Sequence, residues 1–243
     1  MSYGAVPKGN PRSLGFERYA LRFDHALSQY IDCGKDPSLI NLTAYSVEAF
    51  VKLKVQNYPG LINWVVGLNR PGVYLCWGPH GPMFYAGTNN LRYFDGSAAD
   101  ILRDGALHHV VFTIPGSNQL DIEDSKMYLD DSPVAVDSTV STGVPLAKVN
   151  LYIGKYDYLD GLIPLLRIYD GVLTLDEIRW NRLNYHNPVR RDKLVLWLPM
   201  EEGAGLTTID RSGHGNNGSL LPAATPPTWE QVRQYELRAQ TEH

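Results

Sequence analysis

The chain has 243 residues, of which 44% are hydrophobic, so it can bury one large core, and all-β proteins of this length commonly form a single domain. Its 22 basic and 26 acidic side chains are interspersed and give a formal charge of -4, which argues against a nucleic-acid partner. No window approaches the ~20 apolar residues of a membrane helix, so membrane insertion is not expected.

The N-terminal residues 1–16 are rich in Gly, Pro and Ser and are predicted to form an extended arm. They lack the charged-then-apolar layout of a signal peptide, which predicts synthesis in a cytoplasm without a recognisable leader. The two cysteines, Cys33 and Cys76, are too few for a disulfide framework and are interpreted as buried thiols.

Short alternating segments dominate the sequence that follows the arm. Residues 46–52, 110–114 and 149–153 alternate between apolar and polar side chains, and each is bounded by Gly, Pro, Asn or Asp. This pattern predicts an antiparallel β-sandwich.

An aromatic segment at 74–85 surrounds a Gly-Pro turn and is followed by amide and basic side chains. Sugar recognition combines aromatic rings with such hydrogen-bonding groups. The alternative, that Trp77 and Phe84 are ordinary core residues, stays open. The candidate glycan-binding residues are Trp77, His80, Tyr85, Asn89, Asn90, Arg92 and Tyr93.

Two adjacent histidines, His108 and His109, lie in a predicted strand. Neighbouring strand residues point to opposite faces, so the pair is not expected to share a metal ion. No nucleophile elbow, phosphate loop or zinc-protease motif is present, and the sequence predicts no enzyme.

A capping box at Thr174–Glu177 predicts one short helix near 174–183, with Ile178, Trp180 and Leu183 available for burial. A weaker box begins at Thr228, but residues 229–237 also alternate as a strand would, and both readings stay open.

The C-terminal segment carries the strongest family signal. The tryptophan strand Leu194–Gly203 and the turn Asp210–Leu220 resemble the opening of the concanavalin A-like, laminin G-like sandwich family. That family continues through a Pro-Thr-Trp strand into Ala-Leu-x-Phe-Asp-Gly; here 227–229 follows the turn, but Ala20–Asp24 stands near the N-terminus. The resemblance covers roughly 19–184 and 194–229 in rotated order.

This resemblance implies a circularly permuted, all-β jelly-roll sandwich in one domain, and it implies that Trp197 and Trp229 fill the interior. The predicted parts are the arm, a main body at 17–184, a linker at 185–193, and strands at 194–243 that complete the sandwich. Those strands close either their own sheet or a neighbour's, and effective concentration favours their own. Residues 235–238 echo 19–22, which predicts that the two chain ends are neighbours in one sheet.

The resemblance also suggests two kinds of chemistry. Related glucanases carry Glu-x-Asp-x-Glu on one strand, but residues 119–123 begin with Gln119, which favours a solvated turn. Relatives often hold a structural calcium ion; Asp24 matches one ligand position, whereas His25 and Pro164 depart from the pattern. Asp24, Asp210 and Asn217 are the candidate calcium ligands, unless Asp210 and Asn217 only cap a glycine-rich turn.

The predicted function is therefore a noncatalytic structural or binding protein, of the kind that decorates a cell surface or virion, with a glycan-binding role. A free-standing lectin module is the alternative, and a glucanase-like hydrolase is a more distant one. The expected partners are glycans or a cell surface, or other copies or coat subunits in a homo-oligomer, and the expected place of action is an extracellular or particle surface.

Overall fold

The computed structural model describes residues 17–54, 60–64, 73–78, 81–86, 90–94, 96–102, 104–116, 124–140, 150–155 and 158–233. For the strands between 60 and 93 the description is limited to backbone pairing. The predicted arm at 1–16, the segment 117–123 and the echo at 235–238 lie outside the described residues. No helix in the described ranges is long and apolar enough to cross a membrane.

Strands dominate the described residues, which confirms the predicted all-β class. Three short helices accompany them: α1 (Pro37–Ile40), α2 (Ser97–Leu102) and α3 (Leu175–Leu183). The strands are β1 (Glu17–Phe23), β2 (Tyr30–Asp32), β3 (Tyr45–Leu53), β4 (Gly60–Trp64), β5 (Val73–Gly78), β6 (Gly81–Ala86), β7 (Asn90–Phe94), β8 (His108–Ile114), β9 (Lys126–Leu129), β10 (Ser132–Pro133), β11 (Val136–Val140), β12 (Leu151–Ile153), β13 (Gly161–Tyr169), β14 (Leu194–Leu198), β15 (Thr207–Thr208), β16 (Gly218–Leu221) and β17 (Thr228–Arg233).

The strands form two antiparallel sheets. Sheet 1 has the order β10-β9-β8-β3-β13-β1-β17, and β14 also pairs with β13. Sheet 2 has the order β11-β7-β6-β5-β4-β12-β2-β16-β15. Alternate residues of both sheets meet in one core, which includes Phe23, Val47 and Phe112 from sheet 1 and Ile31 and Ile153 from sheet 2. Burial of each such side chain stabilises the fold by about 1.5–3 kcal/mol.

The C-terminal strands pair with the body of the same chain. β14 pairs with β13 and β17 with β1 in sheet 1, whereas β16 pairs with β2 in sheet 2. Glu17 lies opposite Arg233, so the first and last described strands are neighbours. Thr228 begins a strand, so the segment from Thr228 is a strand and not a helix. The rotation of strand order relative to the family, and the one-domain division, stay predictions.

The helix near 174–183 begins with the predicted capping box: the Thr174 hydroxyl accepts from the Glu177 amide, and the Glu177 carboxylate accepts from the Thr174 amide. The prediction that Trp180 and Leu183 are buried was wrong, because they are 48% and 63% exposed. Ile178 and Asn181, three residues apart, occupy the face toward sheet 1, and this spacing places Trp180 and Leu183 on the other side of the helix.

The outer face of sheet 1 is closed by α3 and the segment after it. A second apolar cluster there contains Val111, Tyr169, Leu173, Ile178 and Leu194. Trp197 packs against this second cluster, whereas Trp229 packs against the main core. The implied interior position therefore holds for Trp229, and Trp197 lies on the opposite face of the sheet.

A polar network lies under α3 beside that cluster. The Glu48 carboxylate accepts from Arg167 Nη1 at 3.2 Å, from His109 Nε2 at 2.8 Å and from Asn181 Nδ2 at 3.0 Å. Arg167 also donates to the Tyr185 carbonyl oxygen, which fixes the start of the linker to β14. Buried polar groups are tolerated when they are paired in this way.

Candidate functional site

The outer face of sheet 2 carries polar and aromatic side chains on the neighbouring strands β2 and β12. Ile31, Leu151 and Ile153 enter the core, so strand alternation turns Tyr30, Asp32 and Tyr152 to the outside, where each is half-buried. We define the sheet 2 patch by its described side chains, which are Tyr30, Asp32, Asn150, Tyr152 and Lys155.

Two tyrosine rings and one ammonium group form the aromatic part of the patch. The Tyr30 and Tyr152 ring centroids are 5.7 Å apart, and the rings meet edge to face at 82°. Lys155 Nζ lies 3.5 Å from the Tyr152 centroid and 4.5 Å from the Tyr30 centroid. A cation over a ring contributes about 0.5–1 kcal/mol at exposed sites, so Lys155 holds both rings in place.

A carboxylate and an amide form the polar part. Asn150 Nδ2 donates to Asp32 Oδ1 at 3.0 Å and to Oδ2 at 3.1 Å, and the Gly34 amide donates to Oδ1 at 2.8 Å. Partial burial, and secondarily the charge of Asp32, raise the pKa of the Tyr152 hydroxyl above its ordinary value. The hydroxyl therefore stays protonated at neutral pH, and the patch presents both donors and acceptors.

The row of paired backbone residues that contains Asp32 and Tyr152 continues across the sheet. Ser219 pairs with Asp32, Asp32 with Tyr152, and Tyr152 with Asn63. The same row continues from Asn63 to Tyr74 and from Tyr74 to Tyr85. At ~4.8 Å between neighbouring strands, this row from β16 to β6 spans roughly 24 Å.

The structure divides the predicted glycan-binding residues. Tyr85 lies in the row of paired residues that contains Asp32 and Tyr152. Arg92 pairs with Phe84, and that neighbouring row continues from Phe84 to Leu75, Ile62 and the core residue Ile153. Trp77 pairs with Pro82 in the β5–β6 hairpin, Asn90 with Ala86 and Tyr93 with Met83. His80 and Asn89 lie outside the described residues. Sugar contact by this set stays a prediction.

The sequence interpretation missed all five residues of the sheet 2 patch. Its only local signal was a polar or aromatic side chain beside a buried one, as in Tyr30-Ile31-Asp32 and Leu151-Tyr152-Ile153. That alternation indicates which side chains point away from the core. It does not indicate that the two segments are neighbours, because they come together only through the pairing of β2 with β12.

Asp210 and Asn217 lie in one turn, as both alternatives required. The Asp210 carboxylate accepts from the amides of Trp197, Ser212 and Asn216, each at 2.9 Å, and from the Ser212 hydroxyl at 2.7 Å. Asn217 Oδ1 accepts from the Asp210 amide.

Asp24 has a separate local role. Its carboxylate accepts from the Ala26 amide and caps a short 3-10 helix at His25–Leu27. No group of three His, Cys, Asp or Glu side chains suited to a metal occurs within the described ranges. These contacts favour the turn-capping alternative because the Asp210 oxygens are already fully engaged, and calcium binding through Asp24 stays a prediction.

The adjacent histidines lie on opposite faces of β8. His108 Nδ1 lies 2.7 Å from Asp130, and its Nε2 lies 3.0 Å from Asp104, whereas His109 reaches Glu48. Burial alone would lower the pKa of His108, but hydrogen bonds to Asp130 and Asp104 raise it above its ordinary value. His108 therefore bridges two carboxylates, and these contacts favour its charged form.

Comparison with known proteins agrees with this architecture. A laminin G family model, described as the concanavalin A-like lectin/glucanases superfamily, matches residues 25–179. The chain belongs to this superfamily. The match ends inside α3, so the C-terminal strands of this concanavalin A-like protein lie beyond it. No curated protein sequence matches the chain significantly.

Among solved structures, a candidate carbohydrate-binding protein from Bacteroides ovatus is similar at 15% identity, with a TM-score of 0.61 over 89% of this chain. The chain spans 60% of the length of that protein. Domain 4 of an extracellular arabinanase from Geobacillus stearothermophilus matches 58% of this chain and 67% of its own, with 21% identity and a TM-score of 0.40. A tailspike domain of bacteriophage CBA120 matches 76% of this chain and 30% of its own, with 10% identity and a TM-score of 0.48.

Proposed function

We propose that this chain is a noncatalytic glycan-binding protein that acts at a cell or particle surface and binds carbohydrate on the sheet 2 patch. One observation carries the proposal: Tyr30 and Tyr152 form an ordered aromatic pair beside Asp32 and Asn150 on the accessible face of a lectin-like sandwich.

Each part of the patch suits a part of a sugar. Aromatic rings pack against the apolar C–H faces of pyranose units, while carboxylate and amide groups bind ring hydroxyls. Asp32 and the tyrosine hydroxyls accept, and Asn150, Lys155 and the tyrosine hydroxyls donate. Because the patch lies on the face of a sheet, we expect dissociation constants between about 1 µM and 1 mM.

The contacts of two described carboxylates support the noncatalytic role. Most glycosidases use one carboxyl group as acid and a second as nucleophile or base. Asp32 is held by three N–H contacts to Gly34 and Asn150, and Glu48 is buried beneath α3. We therefore assign Asp32 to ligand binding and Glu48 to stability.

A glycan array of neutral and acidic polysaccharides tests the proposal, with hits confirmed by calorimetry on the wild-type chain and a Tyr30→Ala/Tyr152→Ala variant. We expect saccharide binding that the double variant loses, and no shortened product after prolonged incubation with the bound saccharide. Binding that survives the double substitution would place the site elsewhere, and released product would make the protein a glycosidase.

A further inference from the structure

Helix α3 exposes an apolar pair on its outer side. Trp180 and Leu183 are 48% and 63% exposed, and their i, i+3 spacing puts them on one helix face. Trp180 Nε1 donates to the Asn187 carbonyl oxygen at 3.0 Å, which orients the indole. Tryptophan is enriched among the residues that dominate binding at protein contact surfaces. We call Trp180 and Leu183 the α3 ridge.

Basic side chains flank the ridge. Arg179 is exposed and makes a long contact of 3.4 Å to the exposed Asp176. Arg191 donates to Asn187 Oδ1, and Asn187 is the residue that also holds the Trp180 indole. The ridge is thus apolar at its centre, with Arg179 and Arg191 at its margin and the exposed Asp176 one turn before Trp180. Trp and Arg dominate the energetics of many protein interfaces.

A groove with the opposite character lies between α2 and the β9–β10 hairpin. Its cavity of about 400 Å³ is lined by apolar side chains and by Ser97, Ser132 and Asp130; the apolar members are Ala98, Ile101, Leu129, Pro133, Val134 and Ala135. Asp100 and Asp104 are exposed on and just after α2. The described side chains thus give the groove an apolar floor and a margin of carboxylates, of which Asp104 and Asp130 also contact His108. We call it the α2 groove.

Ridge and groove share one surface of the molecule. Arg182 of α3 donates to Asp131 Oδ2 at 2.8 Å and to the Asp130 carbonyl oxygen at 3.0 Å. Arg182 thereby joins the helix that carries the ridge to the hairpin that borders the groove. In a twofold dimer the same surface of each copy contacts the other copy. If that surface holds a ridge beside a complementary groove, the ridge of each copy can pack into the groove of the other.

We propose that this surface is a twofold dimer interface, in which the α3 ridge of each copy enters the α2 groove of the other. The apolar ridge fills the apolar floor, and Arg179 and Arg191 meet the acidic margin formed by Asp100 and Asp104. Opposite charges at the margins select this register over a ridge-to-ridge contact. The interface uses none of the residues that define the sheet 2 patch, so the inference does not depend on glycan binding.

Analytical ultracentrifugation of the full chain tests the interface. We expect a dimer for the wild type, and at least tenfold weaker self-association for Leu183→Glu and for Ile101→Glu. Leu206→Glu is the matched control, because Leu206 is 48% exposed, close to the 47% of Ile101, but lies outside both surfaces, and it should leave the dimer intact. Circular dichroism and melting curves confirm that each variant is folded.

A mixture gives the decisive result. The Leu183→Glu copy keeps an intact groove and the Ile101→Glu copy keeps an intact ridge, so a 1:1 mixture should recover one of the two contacts and form more dimer than either variant alone. A wild type that is monomeric at about 100 µM would overturn the proposal. So would a dimer that tolerates Leu183→Glu, or variants whose mixture gains nothing.

Discussion

Glu48 of β3 and Arg167 of β13 lie opposite each other in sheet 1 and form an ion pair at 3.2 Å, with both side chains fully buried. His109 and Asn181 satisfy the remaining acceptor sites of Glu48. Because Asn181 belongs to α3 and Arg167 also binds the Tyr185 carbonyl oxygen, this pair fixes the helix and the linker that leads to β14.

Removal of one member of this pair should be strongly destabilising. Glu48→Gln leaves the Arg167 charge uncompensated in the interior, and we expect a loss of about 3–5 kcal/mol in the free energy of unfolding, measured by urea denaturation. The surface pair Arg22–Glu230 is the control, since Glu230→Gln should cost less than about 1 kcal/mol. Equal effects of the two substitutions would contradict a structural role for the buried pair.

Stability should depend on pH through His108. Its raised pKa means that the charged form stabilises the fold fully below the ordinary value of 6.5, and that this contribution is lost as pH rises through the folded-state pKa. We expect the melting temperature to fall above pH 6.5. His108→Gln should make the melting temperature depend less on pH in that range, whereas a variant of the exposed His214 should keep the pH dependence of the wild type. A His108→Gln profile parallel to that of the wild type would rule out this linkage.

Stability at low pH should depend on the ionisation of the Glu48 carboxylate. Burial alone would raise the pKa of Glu48, but the charge of Arg167 and the hydrogen bond from His109 hold it below its ordinary value. A lowered folded-state pKa gives stability that is present above the ordinary value of 4.5 and is lost as pH falls through the folded-state pKa. Acid unfolding followed by fluorescence should therefore begin below pH 4.5, and the isosteric Glu48→Gln should lessen the pH dependence there.

The sheet 2 patch predicts a graded response to substitution. Tyr152→Ala should weaken saccharide binding by about tenfold, because an aromatic contact contributes roughly 0.5–1.5 kcal/mol beyond its buried area. Tyr152→Phe keeps the ring and should lose less. Lys155→Gln should also weaken binding, whereas Lys54→Gln, at an exposed lysine outside the patch, should not. Calorimetry measures all four, and an equal loss for Phe and Ala would refute ring stacking.

Chelation separates calcium binding from turn capping. Because four donors already occupy the Asp210 carboxylate, we expect EDTA to leave the melting temperature unchanged, and Asp210→Ala to lower stability by about 1–3 kcal/mol with or without EDTA. A melting temperature that falls in EDTA and recovers with added calcium would instead establish a native-state ion. Loss of that recovery in Asp24→Ala would then identify Asp24 as a ligand.

The sequence by itself determined the local features of this protein. Alternation at 46–52 and 110–114 marks strands because every second side chain must enter an apolar layer, and the Thr174–Glu177 box marks the start of α3 because both partners lie within one turn. The tryptophan strand and glycine-rich turn after Leu194 identified the superfamily, which the match over residues 25–179 confirms.

Only the tertiary structure decided which distant residues meet. Burial along α3 depends on which helix face contacts sheet 1, so Asn181 is buried against Glu48 while Trp180 and Leu183 remain exposed. Tyr30 and Tyr152 become neighbours only through the pairing of β2 with β12. Such pairings depend on the register and order of whole strands, which are fixed by the packing of the complete core and leave no signal in any short stretch of sequence.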